Sequence, residues 1–219
     1  MIKQKVLFFI LLLSSLKGFS QTFVEVSNQA VSLKSRDRLY GGDLDTASNL
    51  NPKLSARLTL YKTKLYSWYL DGSSSYYMFN KNNFNNNNQL LNQAAIGFRL
   101  RPESHIALEL LLGYKETPII YSSNGQYFMD KQGVPTIGMK GALALKQLDQ
   151  VTIIGEVSGT YFVKQNGYNG HEVGLGISAG SSWNDQYFKV GYKLEHESNY
   201  NNSTSNSLLK NSFFFRLHF

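Results

Sequence analysis

Apolar and polar side chains alternate along most of the chain with a period of two residues. The stretch Tyr187–Ser198 shows this best, because one of its faces carries Phe188, Val190, Tyr192 and Leu194. Lysine, glycine and glutamate residues occupy the other face. Such alternation indicates a β-strand with one apolar side. An apolar outer face with a polar inner face is typical of a strand in an outer-membrane barrel.

The same pattern predicts about ten strands, with eight as the alternative count, each near the length that crosses a bilayer at a tilt. The predicted strands are Thr22–Leu33, Lys53–Tyr61, Leu65–Phe79, Leu90–Arg101, His105–Lys115, Thr136–Lys146, Val151–Val163, His171–Ser182, Tyr187–Ser198 and Leu208–Phe219. The first has the weakest alternation. The last ends on an aromatic residue, and we interpret it as the closing strand.

The connections between these strands alternate between two kinds. The tight ones are Lys62–Lys64, Pro102–Ser104, Gln147–Gln150 and Trp183–Gln186. The long or polar ones are Lys34–Pro52, Asn80–Gln89, Glu116–Pro135, Lys164–Gly170 and Asn199–Ser207. This predicts an all-β fold, a transmembrane antiparallel β-barrel with short periplasmic turns, long extracellular loops and both termini in the periplasm. An aqueous β-sandwich is the alternative, but it would have polar outer faces and no such regular alternation of loop length.

The N-terminal residues predict export. Lys3 and Lys5 precede the apolar run Val6–Leu13, and Gly18 and Ser20 are small residues at the positions that a signal peptidase reads. We therefore expect a signal peptide over residues 1–20 and a barrel over residues 21–219. The chain has no cysteine, which excludes a lipidated N-terminus, a disulfide framework and a CxxC metal site.

Composition and net charge limit the fold classes and the kinds of partner that fit this chain. The 14 tyrosines, 14 phenylalanines and 18 glycines favour a β-protein over a soluble helical domain. The net charge of +7 comes from basic residues scattered along the strands, so we expect outer-leaflet lipid, either anionic lipopolysaccharide or phospholipid headgroups, as the partner and no nucleic acid. The side chains predicted to pair inside the lumen are Arg57, Arg99, Glu109, Lys140, Lys146, Glu156, Lys189, Lys193 and Glu195. They favour a packed polar interior over a wide pore.

Candidate chemistry lies at the end of the penultimate predicted strand. Residues two apart on a strand share a face at about 6 to 7 Å between Cα atoms. His196 and Ser198 therefore both fall on the outward face. A histidine that removes the proton of a neighbouring serine allows the serine to attack an ester carbonyl.

The run His196-Glu197-Ser198-Asn199 resembles the His-x-Ser-Asn motif of two families of outer-membrane esterases, the lipid A 3-O-deacylases and, more distantly, the outer-membrane phospholipases A. The resemblance covers about the last thirty residues and the general architecture. It implies that Ser198 is the nucleophile, that His196 is its base, and that the pair faces the lipid.

The chain departs from both families at the supporting residues. The deacylases have a glutamate about a dozen residues after the serine, where this chain has Lys210. The phospholipases have an asparagine, and strand parity makes Asn211 the candidate that orients His196. The glycine that follows Ser-Asn in both families is replaced by Tyr200 and Asn201.

The missing glycine leaves the oxyanion to side chains, and Asn199 and Asn206 are the candidate donors. The phospholipase arginine is also absent, which argues against calcium-dependent dimeric catalysis, and no metal or cofactor is expected. The predicted function is removal of an acyl chain from lipid A or phospholipid in the outer membrane. The alternatives are a non-catalytic small barrel, with a structural role or binding through its loops, and a narrow pore.

Overall fold

The computed structural model describes residues 22–37, 43–79, 84–86, 88–100, 105–123, 126–165, 167–183, 186–200 and 204–219; the predicted signal peptide lies outside them. These residues form β-strands and no membrane-length apolar helix. The strands are β1 (Phe23–Asp37), β2 (Asp43–Lys62), β3 (Tyr66–Met78), β4 (Phe84–Asn86), β5 (Asn88–Leu100), β6 (Ile106–Ser123), β7 (Gln126–Leu148), β8 (Val151–Gln165), β9 (Tyr168–Trp183), β10 (Gln186–Tyr200) and β11 (Thr204–His218).

All strands except β4 form one closed antiparallel barrel of ten strands, as the sequence pattern predicts. Each strand pairs with its neighbour along the chain, β3 passes directly to β5, and β1 pairs with β11 to close the ring. The short β4 runs parallel to the start of β7. The first and last described residues meet, since the Phe219 amide donates to the Thr22 carbonyl at 3.0 Å.

The strand register fixes the shape of the barrel. Following paired residues once around the ring from Phe23 leads back to Ser35 on the same strand, a shear of 12 residues. With ten strands, a rise of about 3.3 Å and a strand spacing of about 4.8 Å, this shear gives a tilt of about 40° and a radius of about 10 Å. The lumen is therefore wide enough to hold large side chains in layers.

The outer surface is an apolar belt. Leu58, Leu110, Leu143, Leu175 and Val190 point outward, and between 38% and 63% of each is exposed; Ile153 shares their face but is half-buried. So large a continuous apolar surface is stable only against hydrocarbon. The predicted outward parity is confirmed at these positions.

The stretches predicted as long loops are mostly paired strand, so that part of the prediction was wrong. The β6–β7 ladder runs without interruption from Ile106 and Leu143 to Ser123 and Gln126. Strand pairing likewise continues through most of the predicted loops between β1 and β2 and between β10 and β11. The barrel wall is thus prolonged outward as hairpins.

Three prolines explain why these stretches resembled loops. The β2–β3 ladder ends at Lys53, the β7–β8 ladder ends at Thr136, and Pro52 and Pro135 are the next residues outward. Pro118 lies three residues beyond Lys115, where the β5–β6 ladder ends. Each proline therefore lies where its strand is paired on one side only. Proline, which lacks an N–H, is tolerated on such an open edge.

The prolonged β6–β7 hairpin crosses the extracellular mouth. Near its outer end the Tyr127 hydroxyl donates to the Asp43 carbonyl at the start of β2 at 3.3 Å, and β6 contacts β1 and β11 on the opposite wall. Beneath it, buried side chains form an outer apolar layer, which consists of Val31, Leu33, Leu44, Tyr77, Phe79, Leu91, Ile120, Met129 and Leu208. This layer closes the outer end of the barrel.

Two departures from the sequence pattern have local structural causes. Alternation is weak in β1 because Val31 and Leu33 face the outer apolar layer while Val26 faces lipid. Lys146 was predicted to point into the lumen, and this was wrong. A bulge between Ala144 and Lys146 places Lys146 opposite Ile153 on the outer face.

Candidate active site on the lipid-facing surface

His196 and Ser198 lie on the outward face of β10, at the upper edge of the apolar belt. Their side chains are half-buried, whereas Glu197 and Asn199, which alternate with them, are buried in the lumen. Leu194 precedes them on the same face, and Val173 of β9 is directly opposite His196. The pair therefore sits where hydrocarbon gives way to headgroups.

The hydrogen-bond partner of His196 is Ser207, a residue that sequence reasoning placed in a loop. His196 Nε2 lies 2.9 Å from Ser207 Oγ. Ser207 belongs to β11 and is directly opposite Ser198. Among the residues that the structure describes, no hydrogen bond joins His196 to Ser198.

A second histidine borders the same site. His171 is exposed on the outer face of β9 and is the cross-strand partner of Ser198, so their Cβ atoms lie at roughly 4.5 to 5.5 Å. The sequence did hold a signal for it. Trp183 and Gln186 flank the β9–β10 turn, and counting twelve residues outward from each pairs His171 with Ser198.

Asn211 shares the outward face, but another side chain holds its carboxamide. The Tyr192 hydroxyl donates to Asn211 Oδ1 at 2.6 Å, and Asn211 is opposite Leu194 rather than His196. Among the described residues, no hydrogen bond joins Asn211 to His196. Its predicted role therefore remains a prediction.

The proposed oxyanion donors lie on the wrong side of the barrel wall. Asn199 and Asn206 are cross-strand partners, and both side chains are buried in the lumen. Asn199 Nδ2 donates to Glu197 Oε1 at 3.2 Å. Because the strands continue through the predicted loop, parity turns both asparagines inward, and neither can donate to an oxyanion formed at Ser198. This expectation is corrected.

Lys210, which replaces the deacylase glutamate, belongs to a buried central ion cluster of Lys115, Glu172, Glu197 and Lys210. Lys115 Nζ is 2.8 Å and Lys210 Nζ is 2.5 Å from Glu197 Oε2. The same two lysines contact Glu172 Oε2 at 2.5 and 2.8 Å respectively. This cluster lies just below the outer apolar layer and directly behind His196.

Ion pairs also fill the periplasmic half of the lumen. Arg57 is 2.7 Å from Asp71 and 2.9 Å from Glu109, and Arg216 is 2.6 Å from Glu25. Lys189 pairs with Glu156. Together with the pairs of Arg99, Lys140 and Lys193, these contacts confirm the predicted pairing for seven of the nine charges that were predicted to face inward, all except Lys146 and Glu195.

A cavity of about 400 Å³ remains between these layers and extends to the periplasmic end at Phe23 and His218. Its basic lining residues are Lys53, Arg57, Arg99, Lys140, Lys189, Lys193 and Arg216, and its acidic ones are Glu25, Asp71, Glu109, Glu156, Glu172 and Glu195. The near balance of charge indicates a packed polar interior rather than a single-sign filter. The described residues hold no group of three or more metal-ligating side chains.

No protein-family model matches the sequence, and a comparison with curated proteins finds no match. Solved structures do match. The outer membrane protease OmpT from Escherichia coli is 12% identical over 91% of this chain and 97% of its own, with a TM-score of 0.53. The NanC porin (7% identical, 90% of this chain and 98% of its own, TM-score 0.42) and Ail, the attachment invasion locus protein of Yersinia pestis (9%, 89% and 98%, TM-score 0.33), are weaker matches.

The likeness to OmpT shows a shared fold. Together with the apolar belt, it identifies the chain as a β-barrel of the bacterial outer membrane.

Proposed function

We propose that this barrel is a lipid ester hydrolase that removes an acyl chain from lipid A or phospholipid in the outer leaflet. The observation that carries the proposal is the 2.9 Å contact between His196 Nε2 and a serine hydroxyl on the outward face. An imidazole in hydrogen-bond contact with a serine hydroxyl is the minimal arrangement for nucleophilic attack on an ester.

The position of the pair fits a membrane substrate. The acyl esters of a lipid lie between its headgroup and its hydrocarbon chains, and the pair lies at the same level of the barrel. Leu194 and Phe213 continue the outer surface toward the membrane centre, where an acyl chain would run. A substrate in the outer leaflet can therefore reach His196 by lateral diffusion.

The alternative function is a non-catalytic barrel with polar residues at the headgroup level. One observation favours it: within the described part of the chain, no hydrogen bond to His196 Nδ1 fixes its tautomer. The two functions differ in whether the protein releases fatty acid and whether substitution of His196 lowers that release.

The test is fatty-acid release by the purified protein in detergent micelles, with lipopolysaccharide and phospholipid as separate substrates. His196→Ala should lower the rate by about 10²-fold or more, the usual contribution of a general base, and should leave the barrel folded.

Two matched controls should retain full activity. His105→Ala removes an exposed histidine near the periplasmic end. Ser74→Ala removes an outward serine on β3 that bonds Asn92. A wild-type protein that releases no fatty acid from either substrate would favour the non-catalytic alternative.

A further inference from the structure

Two serines compete for the role of nucleophile. Ser198 and Ser207 face each other across the β10–β11 ladder, and both are half-buried on the outer surface. The His-x-Ser-Asn pattern selects Ser198. The contact geometry selects Ser207, because its hydroxyl alone bonds His196 among the described residues.

The register explains why His196 reaches the neighbouring strand. Leu209 stands directly opposite His196, so Ser207 is the diagonal neighbour on β11, and diagonal neighbours lie within reach of long or aromatic side chains. Ser198 lies two positions along the same strand as His196. Its Cα is about 6 to 7 Å away, and its own cross-strand neighbours are His171 and Ser207.

We propose that Ser207 is the nucleophile and that His196 is its general base, an inference that rests on the proposed ester hydrolysis. With the ring proton on Nδ1, the Ser207 hydroxyl donates to Nε2. As Oγ forms a bond to the acyl carbonyl carbon, its proton passes to Nε2. When the bond from that carbon to the alcohol oxygen breaks, Nε2 returns the proton to the leaving alkoxide, and the acyl group remains on Ser207.

Water completes the cycle in the same geometry. His196 takes a proton from the water as its oxygen attacks the Ser207 ester, and this proton returns to Oγ when the fatty acid leaves. The net change is one ester and one water converted into one fatty acid and one alcohol. No metal, oxidant or reductant is required.

This assignment gives Ser198 a supporting role. Its hydroxyl is opposite Ser207 on the same face, whereas the side chains of Asn199 and Asn206 are in the lumen. Ser198 is then the side chain placed to donate a hydrogen bond to the carbonyl oxygen of the ester. His171, its cross-strand partner on β9, can hydrogen-bond to the Ser198 hydroxyl and orient it.

Covalent labelling distinguishes the two serines. The full-length protein in detergent micelles is treated with a long-chain alkyl fluorophosphonate, which forms an adduct with an activated serine. Both serines lie on the tryptic peptide 194–210, since trypsin cleaves after Lys193 and Lys210. Fragmentation of that peptide in the mass spectrometer locates the adduct.

We expect the adduct on Ser207 and its loss in Ser207→Ala and in His196→Ala. Fatty-acid release should fall by at least 10³-fold in Ser207→Ala. In Ser198→Ala it should fall about 10²-fold, the loss that follows removal of one oxyanion donor, and the adduct on Ser207 should persist. Ser74→Ala should behave as wild type in both assays.

The outcomes distinguish the assignment of the nucleophile from the proposed hydrolase function. An adduct on Ser198, with activity retained in Ser207→Ala, overturns the assignment of the nucleophile and leaves the hydrolase function standing. Absence of fatty-acid release by the wild-type protein overturns both. The heat-dependent electrophoretic mobility of each variant shows whether its barrel has folded.

Discussion

Removing Glu197 should destabilise the barrel strongly, because Glu197 and Glu172 are the carboxylates that, among the described residues, contact the buried ammonium groups of Lys115 and Lys210. Lys115 and Lys210 both contact Glu197 Oε2, and the side chains of Glu197 and Lys210 are 1% and 4% exposed. In Glu197→Ala, Glu172 is the carboxylate of the described residues that still contacts both lysines. Loss of one partner from a buried ion pair costs about 3 to 5 kcal/mol, and we expect that loss here.

The measurement is the free energy of unfolding in phospholipid vesicles, from urea titrations followed by tryptophan fluorescence. The matched control is Lys34→Ala, which removes a salt bridge to Asp45 at 3.9 Å whose two side chains are 72% and 70% exposed. Exposed pairs contribute up to about 1 kcal/mol. The control should therefore unfold near the wild-type midpoint.

A double variant checks that the loss comes from excess charge and not from the missing side-chain volume. Glu197→Ala combined with Lys210→Met restores charge balance around Glu172 and Lys115. We expect it to be less destabilised than the sum of its single variants, since residues of one network are not additive. Purely additive losses, or a Glu197→Ala variant within 1 kcal/mol of wild type, would refute the reasoning.

Two further predictions concern the barrel surface and its mouth. Leu110→Arg places a charge on the apolar belt and should cost about 2 to 4 kcal/mol if Leu110 lies at the bilayer midplane; Tyr121→Arg, on the hairpin beyond the belt, should cost far less, and equal losses in vesicle unfolding would contradict the placement of the belt. The outer apolar layer should block ion flow, so the wild-type protein in a planar bilayer should give no discrete conductance steps. Regular unitary steps would show that the layer opens.

The barrel itself could be predicted from the sequence because its outer face obeys one rule, an apolar side chain at every second position. Leu110 and Val190 follow it, and the strand of each pairs in register with the strand before the predicted tight turn. The rule fails where the environment changes. Beyond Lys115 the wall loses its pairing with β5. Prolines occupy the open edges there, and the pattern no longer distinguishes a strand from a loop.

The residues of the candidate site could also be predicted only where strand periodicity was recognised. The outward parity of His196 and Ser198 follows from strand periodicity, and His171 could have been found by counting from the turn at Trp183. Ser207 could not, because the predicted loop Asn199–Ser207 gave it no register. The partners of interior charges were also beyond the pattern, since Lys115 and Glu197 are 82 residues apart and meet only once the barrel has closed.

The hairpin that crosses the mouth limits how the exposed end of this protein can evolve. Surface segments of bacterial envelope proteins are under pressure to change, because antibodies and phages recognise them. Here Ile120 and Met129 belong both to the surface hairpin and to the outer apolar layer, so a polar substitution at either position would disrupt that layer. Sequence change that leaves the layer intact is therefore confined to their outward neighbours, such as Tyr121 and Asp130.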